Sequence, residues 1–258
     1  MYPYLNLGHD ILLPLYNLFI GIGIVFGLIY LDNQIKNLKI KFLTDRNLHI
    51  SLIISVIIGF LGAKIFELIY HGKAISIINL YSGGTTFMGG IISGGIVFLL
   101  INYLLKTNNL FSFNLVVPSL IIAHIFGRIG CFLGGCCYGK PTNLFFGVKY
   151  PESAPASFYL GQDIYSHPTQ LYESFFLIIF ILIIEKYAQF KNKIFIYVAG
   201  YGVFRFLIEF LRSDERGHFI TELISPSQVI SILFVLFVVI TILIKCYFFK
   251  KSTASNNF

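Results

Sequence analysis

The chain has 258 residues, 56% of them hydrophobic and only 12% charged, with a formal net charge of +7 and a mean hydropathy of +0.79. Soluble domains carry about a quarter of their residues as Asp, Glu, Lys and Arg, so this balance excludes an ordinary water-exposed globule. The basic surplus by itself would fit a nucleic-acid partner, but the positions of the basic residues give it another origin.

In chain order, seven apolar runs are long enough to cross a hydrocarbon core of about 30 Å as helices. They cover about 12–31, 48–70, 85–105, 115–134, 168–185, 194–212 and 227–249. The pattern predicts an all-α polytopic membrane protein, one membrane domain over 1–258 with seven transmembrane helices. The opening "MYPYLNLGHD" holds no Lys or Arg, so it lacks the basic region of a cleaved signal peptide, and the first run is expected to remain as a helix. With the N-terminus outside, the inner connections hold Lys36, Lys39, Lys41, Arg46, Lys106, Lys186, Lys191, Lys193, Lys245, Lys250 and Lys251. The outer ones hold only Lys73, Lys140, Lys149, Arg212 and Arg216. That bias follows the positive-inside rule and predicts N-out, C-in. Topology therefore accounts for the surplus charge, and no nucleic acid is needed.

The first run carries Tyr16 near its start, and the second carries Lys64 and Glu67 in its later half. The third begins "GGTTFMGGIISGGI", with Thr85 and Thr86 at its mouth. Its Gly90-Ile91-Ile92-Ser93-Gly94 segment is a small-xxx-small pattern. Such patterns allow close helix packing; passage of a lipid chain along bare backbone is the second reading. The fourth run ends in "GRIGCFLGGCCYGK", residues 127–140. On a helix, His124, Arg128 and Cys131 fall at about 0°, 40° and −20°, one face. Residues 135–166 form the one long outer connection and are expected to make a small external head or lid. The fifth run opens "YSHPTQLYE", where Pro168 suits a first helical turn and sets His167 at the helix mouth, ahead of Gln170 and Glu173. In the sixth, Tyr201, Arg205, Glu209 and Arg212 lie at about 0°, 40°, 80° and 20°. The seventh carries Gln228 early.

With this topology every one of those polar residues falls at the outer-leaflet level, which predicts one polar cavity open to the outer side. A charge at a bilayer centre costs roughly 2.5–3.5 kcal/mol on insertion scales. Six intramembrane charges left alone would cost about 15–20 kcal/mol, more than a typical domain's net stability. Arg205 and Glu209 could form a structural i, i+4 pair. Adding Arg128 leaves positive charge uncompensated, which suits an anion, and the forked donors of Arg favour phosphate. For Cys131, Cys136 and Cys137 four readings stand side by side: small buried apolar residues, an outer-side disulfide, metal ligands short of a second pair, or a nucleophile beside Arg128.

These motifs together resemble the prolipoprotein diacylglyceryl transferase family. "GRIGCFLGG" followed by "GKPT", "HPTQLYE" and "YGVFRFLIEFLR", with "FMGG" upstream and "SPSQVIS" downstream, span most of the chain in the family's order. The resemblance implies seven helices, an outside N-terminus and an external head in a bacterial cytoplasmic (inner) membrane. It also implies transfer of diacylglyceryl from phosphatidylglycerol to the lipobox cysteine in a preprolipoprotein signal peptide, with release of glycerol phosphate. It brings in no cofactor and no partners beyond those substrates and membrane lipids. By the resemblance, Arg128 and Arg205 match the family's essential arginines, with Tyr201, Glu209 and Arg212 as neighbours. Tyr16 matches a functional tyrosine, and Gly139 a required glycine. Three positions depart from the family pattern: Met88 stands for a His, Cys131 for an Asn and Asn114 for an Asp. The loss of that His leaves the proton acceptor open, with His124 the first candidate and His167 the second. The expected site therefore comprises Tyr16, His124, Arg128 and Arg205 as catalytic groups. Tyr201, Glu209, Arg212, Gly139, His167 and Gln170 would join the arginines in binding substrate. A relative with another acceptor, or a non-catalytic phospholipid carrier, are the alternatives.

Overall fold

The structure is a computed structural model that describes residues 4–6, 12–40, 42–70, 72–82, 86–214 and 224–255. Lys41, Thr85 and Arg216, all used in the sequence reading, lie outside the described residues. Two short strands, β1 (Tyr4–Asn6) and β2 (Leu12–Pro14), pair antiparallel and lead into α1 (Leu15–Asn37) and α2 (Phe42–Tyr70). Then come α3 (Ile77–Ser82), α4 (Phe87–Leu104) and α5 (Asn109–Gly134). The segment after α5 holds β3 (Val148–Lys149), α6 (Pro155–Leu160) and β4 (Tyr165–Ser166), with β3 and β4 antiparallel. Next are α7 (Thr169–Tyr187), α8 (Lys193–Ile208) and α9 (Pro226–Ser255), with 3-10 turns at Phe190–Asn192 and Glu209–Leu211.

A helix lies over each of the seven apolar runs. Five spans are long and apolar enough to cross a membrane: Leu15–Asn37, Arg46–Ile69, Asn109–Gly134, Phe190–Leu211 and Pro226–Tyr247. Gly89–Leu104 is a shorter apolar helix. Residues such as Val25, Ile57, Leu182 and Leu243 are exposed along these helices, as expected where lipid rather than water is the surround. The protein is a mostly helical, polytopic membrane protein.

The chain divides into two compact units, residues 32–115 and residues 1–31 with 116–258. In the first, α2 packs on α4 through backbone contact. A Cβ on Gly59 would come within 3.1 Å of the Gly90 carbonyl oxygen, and one on Gly94 within 3.0 Å of that of Ser55. The small-residue pattern is thus used for packing, where dispersion between closely approaching backbones replaces a hydrophobic drive. Glu67 is not left alone in α2: its carboxylate accepts a hydrogen bond from the Thr86 hydroxyl.

In the other unit the first part of α1 crosses α5 in the same manner. A Cβ on Gly27 would meet the Ser119 carbonyl oxygen at 2.8 Å, and one on Gly130 would meet that of Tyr16 at 3.1 Å. Phe26 stacks on Phe126 with centroids 5.3 Å apart. Val117, Ile121 and Ile125 of α5 form a core with Leu177, Phe180 and Ile184 of α7 and Tyr197 and Tyr201 of α8. Tyr201 of this core carries its hydroxyl into the polar cluster described next.

One local expectation is corrected. The helix stripe running from Tyr201 to Arg212 stops short, because α8 ends at Ile208 and a 3-10 turn covers Glu209–Leu211. Arg212 is extended, with φ −84° and ψ 151°, and bridges antiparallel to Gly139. The tighter turn and the strand-like residue after it remove the 100° spacing on which the stripe depended.

Candidate active site

Helices α5, α7 and α8 each send polar side chains into one buried cluster. Glu173 of α7 is fully buried, and its Oε1 takes three donors. Arg128 Nε is at 2.9 Å, the Tyr201 hydroxyl at 2.8 Å and His124 Nε2 at 3.3 Å. His124 Nε2 also lies 3.3 Å from Arg128 Nε. One ring nitrogen cannot accept from Arg128 and donate to Glu173 together. The shorter, charge-assisted Arg128–Glu173 contact takes the guanidinium hydrogen, so His124 Nε2 donates to the carboxylate. The other oxygen, Glu173 Oε2, has no hydrogen-bond partner among the described residues.

Arg205 is buried one turn beyond Tyr201. Its Nη2 lies 2.8 Å from Glu209 Oε2 and donates to Ser227 Oγ of α9 at 3.1 Å. Arg212 faces Asp214 in a two-point contact, Nε to Oδ1 at 2.9 Å and Nη2 to Oδ2 at 2.8 Å. Burial opposes the Arg212 charge, but the Cys137 sulfur and the Asp214 carboxylate outweigh it and hold its pKa above the ordinary arginine value. Three guanidiniums therefore meet three carboxylates: Arg128, Arg205 and Arg212 against Glu173, Glu209 and Asp214. Among the described residues the expected surplus of positive charge is not found in this cluster, because Glu173 and Asp214 supply the balance.

Around this cluster the segment that follows α5, residues 135–166, is tied to the chain at 167 and 211 by backbone hydrogen bonds. Gly139 N–H donates to the His167 carbonyl at 3.0 Å, His167 N–H to the Lys140 carbonyl at 3.0 Å, and Lys140 N–H to the Leu211 carbonyl at 2.8 Å. Gly139 thus runs between two other backbone segments. A Cβ there would stand 2.6 Å from both His167 Cβ and the His167 carbonyl oxygen; real Cβ atoms do not come so close. The His167 ring pairs through Nδ1 with the Tyr172 hydroxyl at 3.1 Å. Gln170 is fully buried; its Oε1 accepts from the Tyr150 hydroxyl at 3.1 Å and its Nε2 donates to the Cys136 carbonyl. Both ends of its amide are engaged by residues of the 135–166 segment. Tyr150 lies in a small apolar cluster with Tyr138, Ala154 and Ala156, and burial pushes its pKa up to about 12.

Of the sequence-predicted residues, the structure brings His124, Arg128 and Tyr201 onto one carboxylate and Arg205 beside Glu209. Tyr16 enters through its backbone, packed against Gly130 two residues past Arg128. Arg212, Gly139, His167 and Gln170 belong to the seam where the 135–166 segment meets α7 and the end of α8. The sequence reading missed Glu173 as the central acceptor, and with it Asp214 and Ser227. The first had a signal: a lone carboxylate in an apolar helix must find donors. Cys136 is not a ready nucleophile, since hydrogen bonds with Cys131 and Cys137, and then burial, raise its thiol pKa.

Comparison with known proteins agrees with the motifs. A family model described as prolipoprotein diacylglyceryl transferase matches residues 4–244. A phosphatidylglycerol–prolipoprotein diacylglyceryl transferase of Clostridium tetani is 39% identical over 227 residues, 84% of this chain and 87% of the relative. One from Clostridium perfringens is 36% identical over 230 residues, 84% and 85% of the two chains. One from Rickettsia rickettsii is 32% identical over 233 residues, 84% and 86%.

Proposed function

The chain belongs to the prolipoprotein diacylglyceryl transferase family, and from that membership we propose that it moves diacylglyceryl from phosphatidylglycerol to the lipobox cysteine of preprolipoproteins. The match over residues 4–244 carries this reading. The buried arginine–carboxylate cluster is the part of the chain equipped for the chemistry.

In the proposed reaction the acceptor thiolate attacks the glycerol carbon that bears the phosphate ester. A C–S bond forms, the C–O bond breaks, and its electron pair leaves on glycerol phosphate. Arg128 and Arg205 hold the phosphate and stabilise the charge growing on it, the role for which preorganised donors are most effective. Glu173 and Glu209 pair with those guanidiniums and would exchange them with the lipid phosphate. Glu173 Oε2, without a hydrogen-bond partner among the described residues, accepts from a hydroxyl of the glycerol headgroup. A thiol needs little help to ionise, with an unperturbed pKa of about 8.5. Its proton passes to His124, whose ring the Glu173 contact orients. Tyr201 shares the Glu173 oxygen, and Tyr16 and Arg212 are assigned by the family pattern to contact substrate. Gly139, Gln170 and His167 act by holding the head over it.

The proposed topology has seven spans, N-out and C-in, in the bacterial inner membrane. Residues 135–166 form an external head of one membrane domain, and the site opens outward. The excess of Lys and Arg on the connections assigned to the inside supports this. A C-terminal fluorescent-protein fusion that stays dark, with an active alkaline phosphatase fusion at the same point, would reverse the orientation.

The reaction is tested in vesicles with phosphatidylglycerol and a lipobox peptide. Mass spectrometry is expected to find a thioether-linked diacylglyceryl. Arg128→Ala and Arg205→Ala should each lower its formation by about 100-fold or more, the scale of losing one preorganised donor. Absence of product from the unmutated protein overturns the activity; product from folded Arg128→Ala at the full rate overturns the mechanism.

A further inference from the structure

Cys131, Cys136 and Cys137 present three sulfurs that all lie within 4.8 Å of one another, and none is in a disulfide. The backbone is built to bring them together. Helix α5 closes after Gly134 with Gly135 at φ +70°. Gly135 N–H donates to the Phe132 carbonyl at 3.2 Å and Cys136 N–H to the Cys131 carbonyl at 3.1 Å. That is a Schellman closure, whose usual companion is an apolar contact between the residue after the cap glycine and the one five before it. Here that pair is Cys136 and Cys131. Cys137 follows at φ +62°, a left-handed conformation that costs a non-glycine residue about 1–2 kcal/mol. It is held there by the Thr169 hydroxyl, which donates to the Cys137 carbonyl at 2.7 Å, while Gln170 holds the Cys136 carbonyl. Buried cysteines acting only as apolar filler would not need the third to occupy a strained conformation braced by a separate helix.

We propose that these three cysteines form a binding site for a soft monovalent cation of the Cu(I) class, in trigonal three-thiolate coordination. Soft thiolate ligands select Cu(I), zinc and iron–sulfur clusters. Zinc in structural sites is almost always four-coordinate, and the ligand group found among the described residues contains these three sulfurs alone. Three thiols and one Cu(I) give a complex of charge −2 with the loss of three protons, so affinity rises with pH. Two guanidiniums, each also facing a carboxylate, stand close by. Arg128 is three residues before Cys131 on α5, a same-face spacing, and Arg212 interacts electrostatically with Cys137. Cys131 is buried, whereas Cys136 and Cys137 keep partial exposure, which leaves an entry path. The Thr169 and Gln170 hydrogen bonds supply the outer support that orients metal ligands.

The test uses the full chain carrying Cys246→Ser, since the fourth cysteine is exposed on α9. Reduced protein in detergent is titrated anaerobically with Cu(I) against bicinchoninate. One Cu(I) per chain is expected, with at least 100-fold weaker binding in Cys136→Ala and in the triple alanine variant. X-ray absorption on the chain that keeps all three cysteines should count three sulfur neighbours at copper, a reading that needs no variant to fold. Unchanged binding in the triple variant overturns the proposal. So does a count of two sulfurs, displacement of copper by equimolar Zn(II), or a disulfide among the three in alkylated protein taken directly from membranes.

Discussion

Glu173 Oε1 stands 2.9 Å from Arg128 Nε with both side chains buried, and the same oxygen also takes the Tyr201 hydroxyl. A carboxylate on one helix thereby organises an arginine on a second and a tyrosine on a third. Its neighbours differ in what they ask of the pair: the core beneath needs neutrality, and the proposed phosphate needs a guanidinium ready to exchange partners.

Glu173→Gln keeps the shape and removes the charge. Breaking one side of a buried pair costs about 3–5 kcal/mol, while replacing both sides with apolar residues is often neutral. Glu173→Gln should therefore lower unfolding stability by that amount in detergent, and Arg128→Met with Glu173→Leu should recover the ion-pair part of it, less the cost of leaving the Tyr201 hydroxyl and His124 without their acceptor. The double variant should give no thioether product; transfer by it would remove Arg128 from the mechanism.

Ser227 donates nothing to the proposed chemistry itself but holds Arg205 Nη2 at 3.1 Å. A hydrogen bond to a charged group is worth about 1.5–3 kcal/mol, so Ser227→Ala should reduce transfer by about tenfold or more. Ser227→Thr should rescue it. A purely structural serine would leave kcat/KM for phosphatidylglycerol unchanged in stable protein.

Gly139→Ala is expected to be severe for a small change. The new methyl would meet two backbone oxygens and a Cβ at 2.6–2.8 Å, and overpacking of this kind costs about 1–3 kcal/mol. Limited proteolysis should then cut within 135–166 sooner than in the unmutated chain. Equal resistance would mean that the seam between head and helices yields without cost.

Tyr150→Phe removes the donor to Gln170 Oε1 and leaves that buried oxygen unsatisfied. A loss of about 1–3 kcal/mol in stability follows, with no change in kcat at saturating lipid. A fall in kcat would bring Tyr150 into the site itself.

Much of this was readable without coordinates wherever the physics is local. Runs of apolar residues near 20 long must be helical in a medium without water, because every backbone group needs an internal partner; helices cover all seven. His124 and Arg128 share a face for the same reason, a fixed 3.6-residue period. The stripe ending at Arg212 failed at the point where that period stopped, in the 3-10 turn after Ile208. Gly139 was recognisable as important, but the cause was not: its two flanking backbones arrive from residues 167 and 211.

The one-dimensional order of residues settled that this chain lives in a membrane, where its helices lie and which family it belongs to, since each depends on composition, period or motif. The i, i+4 spacing already paired Arg205 with Glu209, but tertiary structure alone decided what answers Arg128. Partners such as Arg128 and Glu173 are 45 residues apart, and no spacing rule reaches across helices. Only packing says whether two such distant buried ions neutralise each other, and here it set Arg128 against Glu173.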